Sequence, residues 1–213
     1  MKQFNNFKIG LFLFFIFLAL SIFVYLNFFL GFDSSATQYL QNTIPRSFDF
    51  LFSLFSLVGT FEIVTMILLL VLVYFKQINK FFALLGYGIV SLFEIAGKSI
   101  IPQIAPPIEL LRTEIFFSFP TGQISEAFFA YPSGHVARTA FISLILLFAI
   151  WKSKKLSKNT KFAFSFLLLA FCFFMFFSRV YLAEHWATDV IGGALLGFSI
   201  AFILSRRILF GKI

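Results

Sequence analysis

Six stretches of this chain are long and apolar enough to cross a hydrocarbon layer: Ile9 to Phe32, Phe50 to Phe75, Phe81 to Ile101, Gly134 to Trp151, Phe162 to Leu182 and Trp186 to Ser205. A bilayer core takes about 20 apolar residues per helix. Six such helices with short connections account for nearly all of the 213 residues and leave no room for a separate soluble domain. Membrane strands are excluded, because polar and apolar residues do not alternate along these runs and in lipid only a helix or a closed barrel satisfies its own backbone. The composition agrees, with 60% hydrophobic and 12% charged residues, against about 45–50% and about 25% in soluble domains. The expected fold is an all-α integral membrane protein of six transmembrane helices, organised as a single membrane-embedded domain over residues 1–213.

A net charge of +8 could point to a nucleic-acid partner, so the placement of the charges matters more than their sum. The two chain ends and the links 76–80 and 152–161 carry 12 basic residues and no acidic one: Lys2, Lys8, Lys76, Lys80, Lys152, Lys154, Lys155, Lys158, Lys161, Arg206, Arg207 and Lys212. The spans and the opposite side hold five basic residues, Arg46, Lys98, Arg112, Arg138 and Arg179, against nine acidic ones. The positive-inside bias therefore places both termini in the cytoplasm. Topology alone explains the basic balance, and no nucleic acid is needed. The first run follows Lys2 and Lys8 as a secretory signal would, but it exceeds the roughly 7–15 residues of a signal core and lacks an A-x-A site, so it reads as a retained anchor. Cys172, the single cysteine, sits in the apolar run 162–177 and reads as a lipid-facing or packed residue.

Five of the six prolines, Pro102, Pro106, Pro107, Pro120 and Pro132, fall between the third and fourth spans and should keep this longest outer loop irregular. Ser34 to Arg46 is the other outer stretch, readable as a short interfacial helix or as a plain loop. The 37 Phe residues follow no fixed period and read as lipid-facing and packing bulk.

Ionisable groups near a membrane are costly and point to function. The informative set is Glu62, Glu94, Lys98, His135, Arg138, Arg179, Glu184, His185 and Asp189. Both histidines of the chain belong to it, at the outer starts of the fourth and sixth spans. His185 and Asp189, four apart on a helix, share a face, so the carboxylate can fix the imidazole tautomer and sharpen the other ring nitrogen as nucleophile or base. Pro132-Ser133-Gly134-His135 opens the fourth span, where free N–H groups, a hydroxyl and a residue without Cβ let an anion approach the helix start. Lys98 and Arg179 add positive charge at the same level, which suits an oxyanion. No cluster of carboxylates or cysteines offers a divalent ion a site. Singly, each feature also has an ordinary reading as an N-cap, a polar helix start or a side chain snorkelling to headgroups.

Together, Lys98, Tyr131-Pro132-Ser133-Gly134-His135 and Ser178-Arg179-x5-His185-x3-Asp189 resemble the three-part signature of the type 2 phosphatidic acid phosphatase superfamily, K-x6-R-P, P-S-G-H and S-R-x5-H-x3-D. The resemblance implies a membrane phosphatase in which His185 attacks phosphorus to form a phosphohistidine, Asp189 orients it and His135 protonates the leaving alkoxide. It also implies that Lys98, Ser133, the Gly134 amide and Arg179 hold the phosphoryl oxygens, and that no metal or cofactor is required. Positioning and charge stabilisation are what phosphoryl transfer needs. The first part departs from the pattern, since Ala105-Pro106 stands where Arg-Pro is expected. Arg138, three residues beyond His135, could restore the missing charge or anchor its helix among headgroups, with Arg112 as a second candidate. Glu94, four before Lys98, could hold that ammonium in place.

The expected partners are the lipid bilayer and a lipid phosphate: phosphatidic acid, phosphatidylglycerol phosphate or a polyprenyl pyrophosphate. The site is expected on the extracytoplasmic face of a cytoplasmic membrane. Transfer to a second lipid instead of water fits the same residues. A vanadate haloperoxidase shares the anion-binding set, but the short hydrophobic chain argues against it. A non-catalytic lipid-phosphate binder or transporter would have no use for His185 with Asp189.

Overall fold

The computed structural model describes residues 2–76, 78–115, 119 and 129–210, with side chains from 5 to 209. Pro120 and Lys212 lie outside the described residues, as does the side chain of Lys2. Among the described residues the regular structure is helical: α1 Lys2–Tyr25, α2 Leu30–Thr43, α3 Asp49–Val58, α4 Phe61–Tyr74, α5 Lys80–Ile100, α6 Gly134–Lys152, α7 Lys158–Tyr181 and α8 Ala187–Phe210. Short 3-10 turns cover Arg46–Phe48 and Ile108–Leu110. Five helices are long and apolar enough to span, or six if α3 and α4 are one bent span.

Two expected spans differ from the sequence reading. The first ends at Tyr25 rather than Phe32, because Asn27 takes a left-handed conformation at φ 58°. The N–H of Phe28 then returns to the Phe23 carbonyl and that of Asn27 to the Val24 carbonyl, the pairing of a Schellman stop. Hydropathy runs on through Phe28-Phe29-Leu30 and hides the turn. The helix that follows, α2, settles the segment from Ser34 in favour of a helix. The second expected span is broken at Gly59-Thr60, where α3 and α4 meet at a 56° bend. Thr60 is extended, and its hydroxyl donates to the Leu57 carbonyl at 2.9 Å.

Packing centres on α6 and α8. Both are buried over most of their length, whereas α1 buries only one side, against α8. The α6–α8 contact is close because Gly193 and Gly197 lie against α6: a Cβ at either would collide with the Ser133 or Ala137 carbonyl. Small residues four apart let helices in lipid approach at backbone distance. α1 packs along α8, α5 against both α8 and α6, and α7 against α6 and α3. At the basic end of the bundle, the Asn79 N–H donates to the Ile208 carbonyl at 2.7 Å and Lys152 reaches the Leu209 carbonyl. At the other end, Tyr131 is fully buried, stacked on Phe17 and hydrogen-bonded to Ser21 at 3.0 Å, which pins the strand of chain entering α6.

Candidate active site

The expected site residues gather at the end of the bundle opposite the basic links. Ser133 is the N-cap residue of α6, but its hydroxyl makes no cap bond and, though buried, has no partner among the described residues. Its backbone N–H donates to the Asp189 carbonyl at 3.0 Å, joining the start of α6 to the first turn of α8. The next residue, Gly134, packs directly on the Glu94 carboxylate, and a Cβ there would overlap it. His135 follows in the first turn of α6, with its ring beside the α3–α4 break: a Cβ on Gly59 would lie 3.1 Å from His135 Cδ2.

The spacing from Arg179 to His185 has a backbone cause. α7 ends with Ala183 left-handed at φ 54°, and the Arg179 carbonyl accepts the N–H groups of both Glu184 and His185 at 3.1 Å. This second Schellman-type turn reverses the chain in five residues and sets His185 against the helix end that carries Arg179. His185 Nδ1 lies 3.2 Å from Asp189 Oδ2, which also accepts the Trp186 N–H at 3.0 Å. With Nδ1 protonated toward Asp189, the Nε2 lone pair is left for an incoming atom. Burial, then the charges of Arg179, Lys98 and Arg138, hold the His185 imidazole well below its usual titration range, so it is neutral at pH 7. Lys98, Arg138 and Arg179 lie within electrostatic reach of both histidines.

Each guanidinium has a carboxylate partner. Arg179 donates to Glu184 and to Ser56 of α3. Glu184 also accepts from Ser56 Oγ and Thr113 Oγ1 at 2.6 Å each. Arg138 donates to Glu94 and lies 5.3 Å from the centre of the Phe61 ring. Glu94 is shared, with Lys98 Nζ 3.9 Å from its other oxygen. Three cations thus face three carboxylates, Glu94, Glu184 and Asp189. Arg138 therefore brings less free charge to the site than its place beside His135 suggests. Arg112 is not part of the cluster: it donates to the Gln41 and Ile44 carbonyls and to the Tyr181 hydroxyl, fastening the outer segments together. Ala105 lies in irregular chain next to Ile104, whose carbonyl accepts the Trp186 indole N–H at 2.7 Å, so position 105 passes close to the third part of the signature.

Four buried polar atoms of these residues make no hydrogen bond among the described residues: Ser133 Oγ, Arg138 Nε, Arg179 Nε and Asp189 Oδ1. Buried polar atoms are normally paired. Three of the four can donate to an anion. Among the described residues, no three His, Cys, Asp or Glu side chains converge as metal ligands. Glu62 lies in the first turn of α4.

Four further residues reach this region without having been singled out in the sequence: Asp33, Ser56, Gln103 and Thr188. Asp33 Oδ1 accepts the Thr188 N–H at 2.9 Å, and Oδ2 accepts from Thr188 Oγ1 at 2.6 Å and Gln103 Nε2 at 3.2 Å.

Residues 79–210 match the family described as the PAP2 superfamily. The fold is similar to that of the crystal structure of a transmembrane PAP2-type phosphatidylglycerolphosphate phosphatase from Bacillus subtilis, with a TM-score of 0.75 at 20% identity over 92% of this chain and 94% of that one. Among curated protein sequences none matches.

Proposed function

The chain belongs to the PAP2 superfamily, and from that membership and the site geometry we propose that it is an integral membrane lipid phosphatase working through a phosphohistidine. His185 Nε2 attacks the terminal phosphorus while its P–O bond to the leaving group breaks, a lipid alkoxide from a phosphate monoester or a lipid phosphate from a pyrophosphate. Asp189 keeps the Nδ1 proton and stabilises the charge that the ring acquires. His135, as the imidazolium that the negative charge of the bound phosphoryl group favours, gives its proton to the departing oxygen; the neutral ring then takes one from the water that attacks the phosphohistidine and regenerates His185. Lys98, the Ser133 hydroxyl, the Gly134 N–H and Arg179 hold the non-bridging oxygens. Arg138 contributes through Nε–H, since its other end is bound to Glu94. Ser56 and Glu184 keep the Arg179 fork in place.

The observation that carries this reading is the set of buried, unpartnered Ser133, Arg138 and Arg179 donors gathered with a neutral imidazole that is oriented by Asp189. Such an arrangement is preorganised for a phosphoryl group. The proposed substrates are phosphatidic acid, phosphatidylglycerol phosphate or a polyprenyl pyrophosphate, reaching the site from the bilayer. The whole of 1–213 acts as one membrane-embedded domain, with both termini cytoplasmic and the site on the extracytoplasmic face of the cytoplasmic membrane. No metal takes part. The test is phosphate release from each lipid by purified protein in detergent, with and without EDTA, together with the His185→Ala variant. Release that survives EDTA and vanishes in His185→Ala supports the proposal. Loss in EDTA that a divalent ion restores, or turnover without His185, overturns it.

A further inference from the structure

Every residue proposed to touch the phosphoryl group or to move a proton lies within 79–210, yet the helix start that carries Asp189 is held from outside that region. Asp33, Thr188 and Gln103 are 2%, 0% and 6% exposed, and their mutual bonds run from 2.6 to 3.2 Å. Thr188 is the second residue of α8 and directly precedes Asp189. The first N–H groups of a helix lack partners in the helix itself, and a carboxylate there both accepts a hydrogen bond and meets the positive end of the helix dipole. Asp33 does this for α8 from another helix. The same turn is gripped on its other side, where the Ser133 N–H holds the Asp189 carbonyl.

The rest of α2 fits that task. Thr37 is fully buried on the same face as Asp33, and Gln41 donates to the carbonyls of Leu110 and Tyr181 at 2.7 and 2.9 Å, the latter residue ending α7. Leu30, Phe32 and Tyr39 are exposed on other faces. Ser35, Gln38 and Asn42 are exposed as well, so what sets this helix apart is the buried polar stripe of Asp33 and Thr37 on its inner face. α2 is tied both to the end of α7 and to the start of α8, the two elements that flank His185.

We propose that Asp33 is a positioning residue for the reaction, holding Thr188 so that Asp189 stays in line with His185 Nδ1. This rests on the assignment of His185 and Asp189 in the proposed function. Asp33 touches no substrate, so its loss should lower kcat and leave KM nearly unchanged.

The experiment compares wild type, Asp33→Asn, Thr188→Val, the double variant and His185→Ala in dodecyl maltoside micelles. Phosphatidic acid and phosphatidylglycerol phosphate are the probes, and amide hydrogen exchange is measured over residues 186–192. By analogy with the loss of an outer-shell partner, kcat should fall roughly 10–100-fold in each single variant. KM should stay within about twofold of wild type, as for an interaction that matters only in the transition state. The double variant should be no worse than the more impaired single one, because both remove the same link. Exchange at 187–190 should quicken while α5 and α6 keep their protection. Wild-type kcat in folded Asp33→Asn, or a loss of yield and melting temperature with kcat intact, overturns the proposal. If Asp33→Asn does not fold, Thr188→Val, which keeps the N–H bond, carries the same kcat expectation. Turnover in His185→Ala would overturn the assignment of the nucleophile, and the exchange data would then decide separately whether Asp33 holds the turn.

Discussion

The backbone N–H of Ser133 donates to the backbone carbonyl of Asp189 at 3.0 Å, so the second and third parts of the signature share a main-chain hydrogen bond. They are more than fifty residues apart in sequence. The bond needs no side chain, and it leaves the Ser133 hydroxyl, buried and unpartnered, for another task.

Ser133→Ala should accordingly fold as wild type does, because the bond to Asp189 survives. Loss of one preorganised donor to the phosphoryl group should lower kcat on the order of 10²-fold. Melting temperature and kcat measured on the same preparation check this. A drop in stability with unchanged kcat would place the hydroxyl in the fold and not in the site.

The chain has only two histidines, which makes their titration directly readable by NMR in detergent. Burial and the facing charges of Arg179, Lys98 and Arg138 disfavour the imidazolium of His185, while its partner Asp189 lies on its own turn. A depressed value means that the ring stays neutral as pH falls through the usual imidazole range near 6.5. Protonation, and with it loss of the attacking lone pair, should come only at distinctly lower pH. The signal that disappears in His185→Ala identifies the ring. A midpoint at 6.5 or above would remove the neutral nucleophile.

Much of the fold was legible because the length of an apolar run reports a span whatever its neighbours are. What hydropathy cannot report is where a run changes direction. Asn27 sits between apolar residues on both sides, and Gly59-Thr60 inside a run whose mean hydropathy stays high despite Ser53, Ser56 and Glu62, so both breaks were covered by their surroundings. His135, His185, Asp189, Lys98 and Arg179 stand out in the sequence as ionisable residues at the ends of apolar runs and as parts of a motif resemblance, each within a single chain segment. Asp33 and Ser56 do not, since their partners Thr188 and Arg179 lie more than a hundred residues away. Arg138 follows His135 by three residues on α6, but the carboxylate that takes its charge, Glu94, belongs to α5 and could not be read from that segment.

Arg179 is a sterner test of the anion site than Lys98, because its planar fork serves Ser56 and Glu184 on one edge and has Nε–H unpaired on the other. An ammonium offers no such division of edges. Arg179→Lys should therefore cost on the order of 2–3 kcal/mol of transition-state stabilisation, read from kcat/KM, comparable with the loss of a preorganised donor. A variant with wild-type kcat/KM would take Arg179 out of the site.

The proposed orientation can be tested independently of activity, because Cys172 is the only cysteine and it is buried. In a Cys172→Ser background, Ser157→Cys, in the link between α6 and α7, should resist a membrane-impermeant maleimide in intact cells and react after permeabilisation. Labelling of intact cells would invert the topology and put the site on the cytoplasmic face.

The last expectation concerns the guanidinium missing at Ala105. Arg138 is buried and paired with Glu94, so Arg138→Ala alone leaves a carboxylate in the bundle with only Lys98 at 3.9 Å. Removing one partner of a buried pair typically costs about 3–5 kcal/mol of stability, and the single variant should fold poorly for that reason alone. Glu94→Gln in the same chain removes the stranded charge and should restore folding, which allows activity to be measured. If Arg138 supplies part of the phosphate contact, the folded double variant should have a severely reduced kcat/KM. Adding Ala105→Arg should then raise it, since position 105 lies beside Ile104, which Trp186 holds against the third part. Full activity in the folded double variant would reduce Arg138 to a helix anchor, and a triple variant no better than the double would show that position 105 cannot reach the anion.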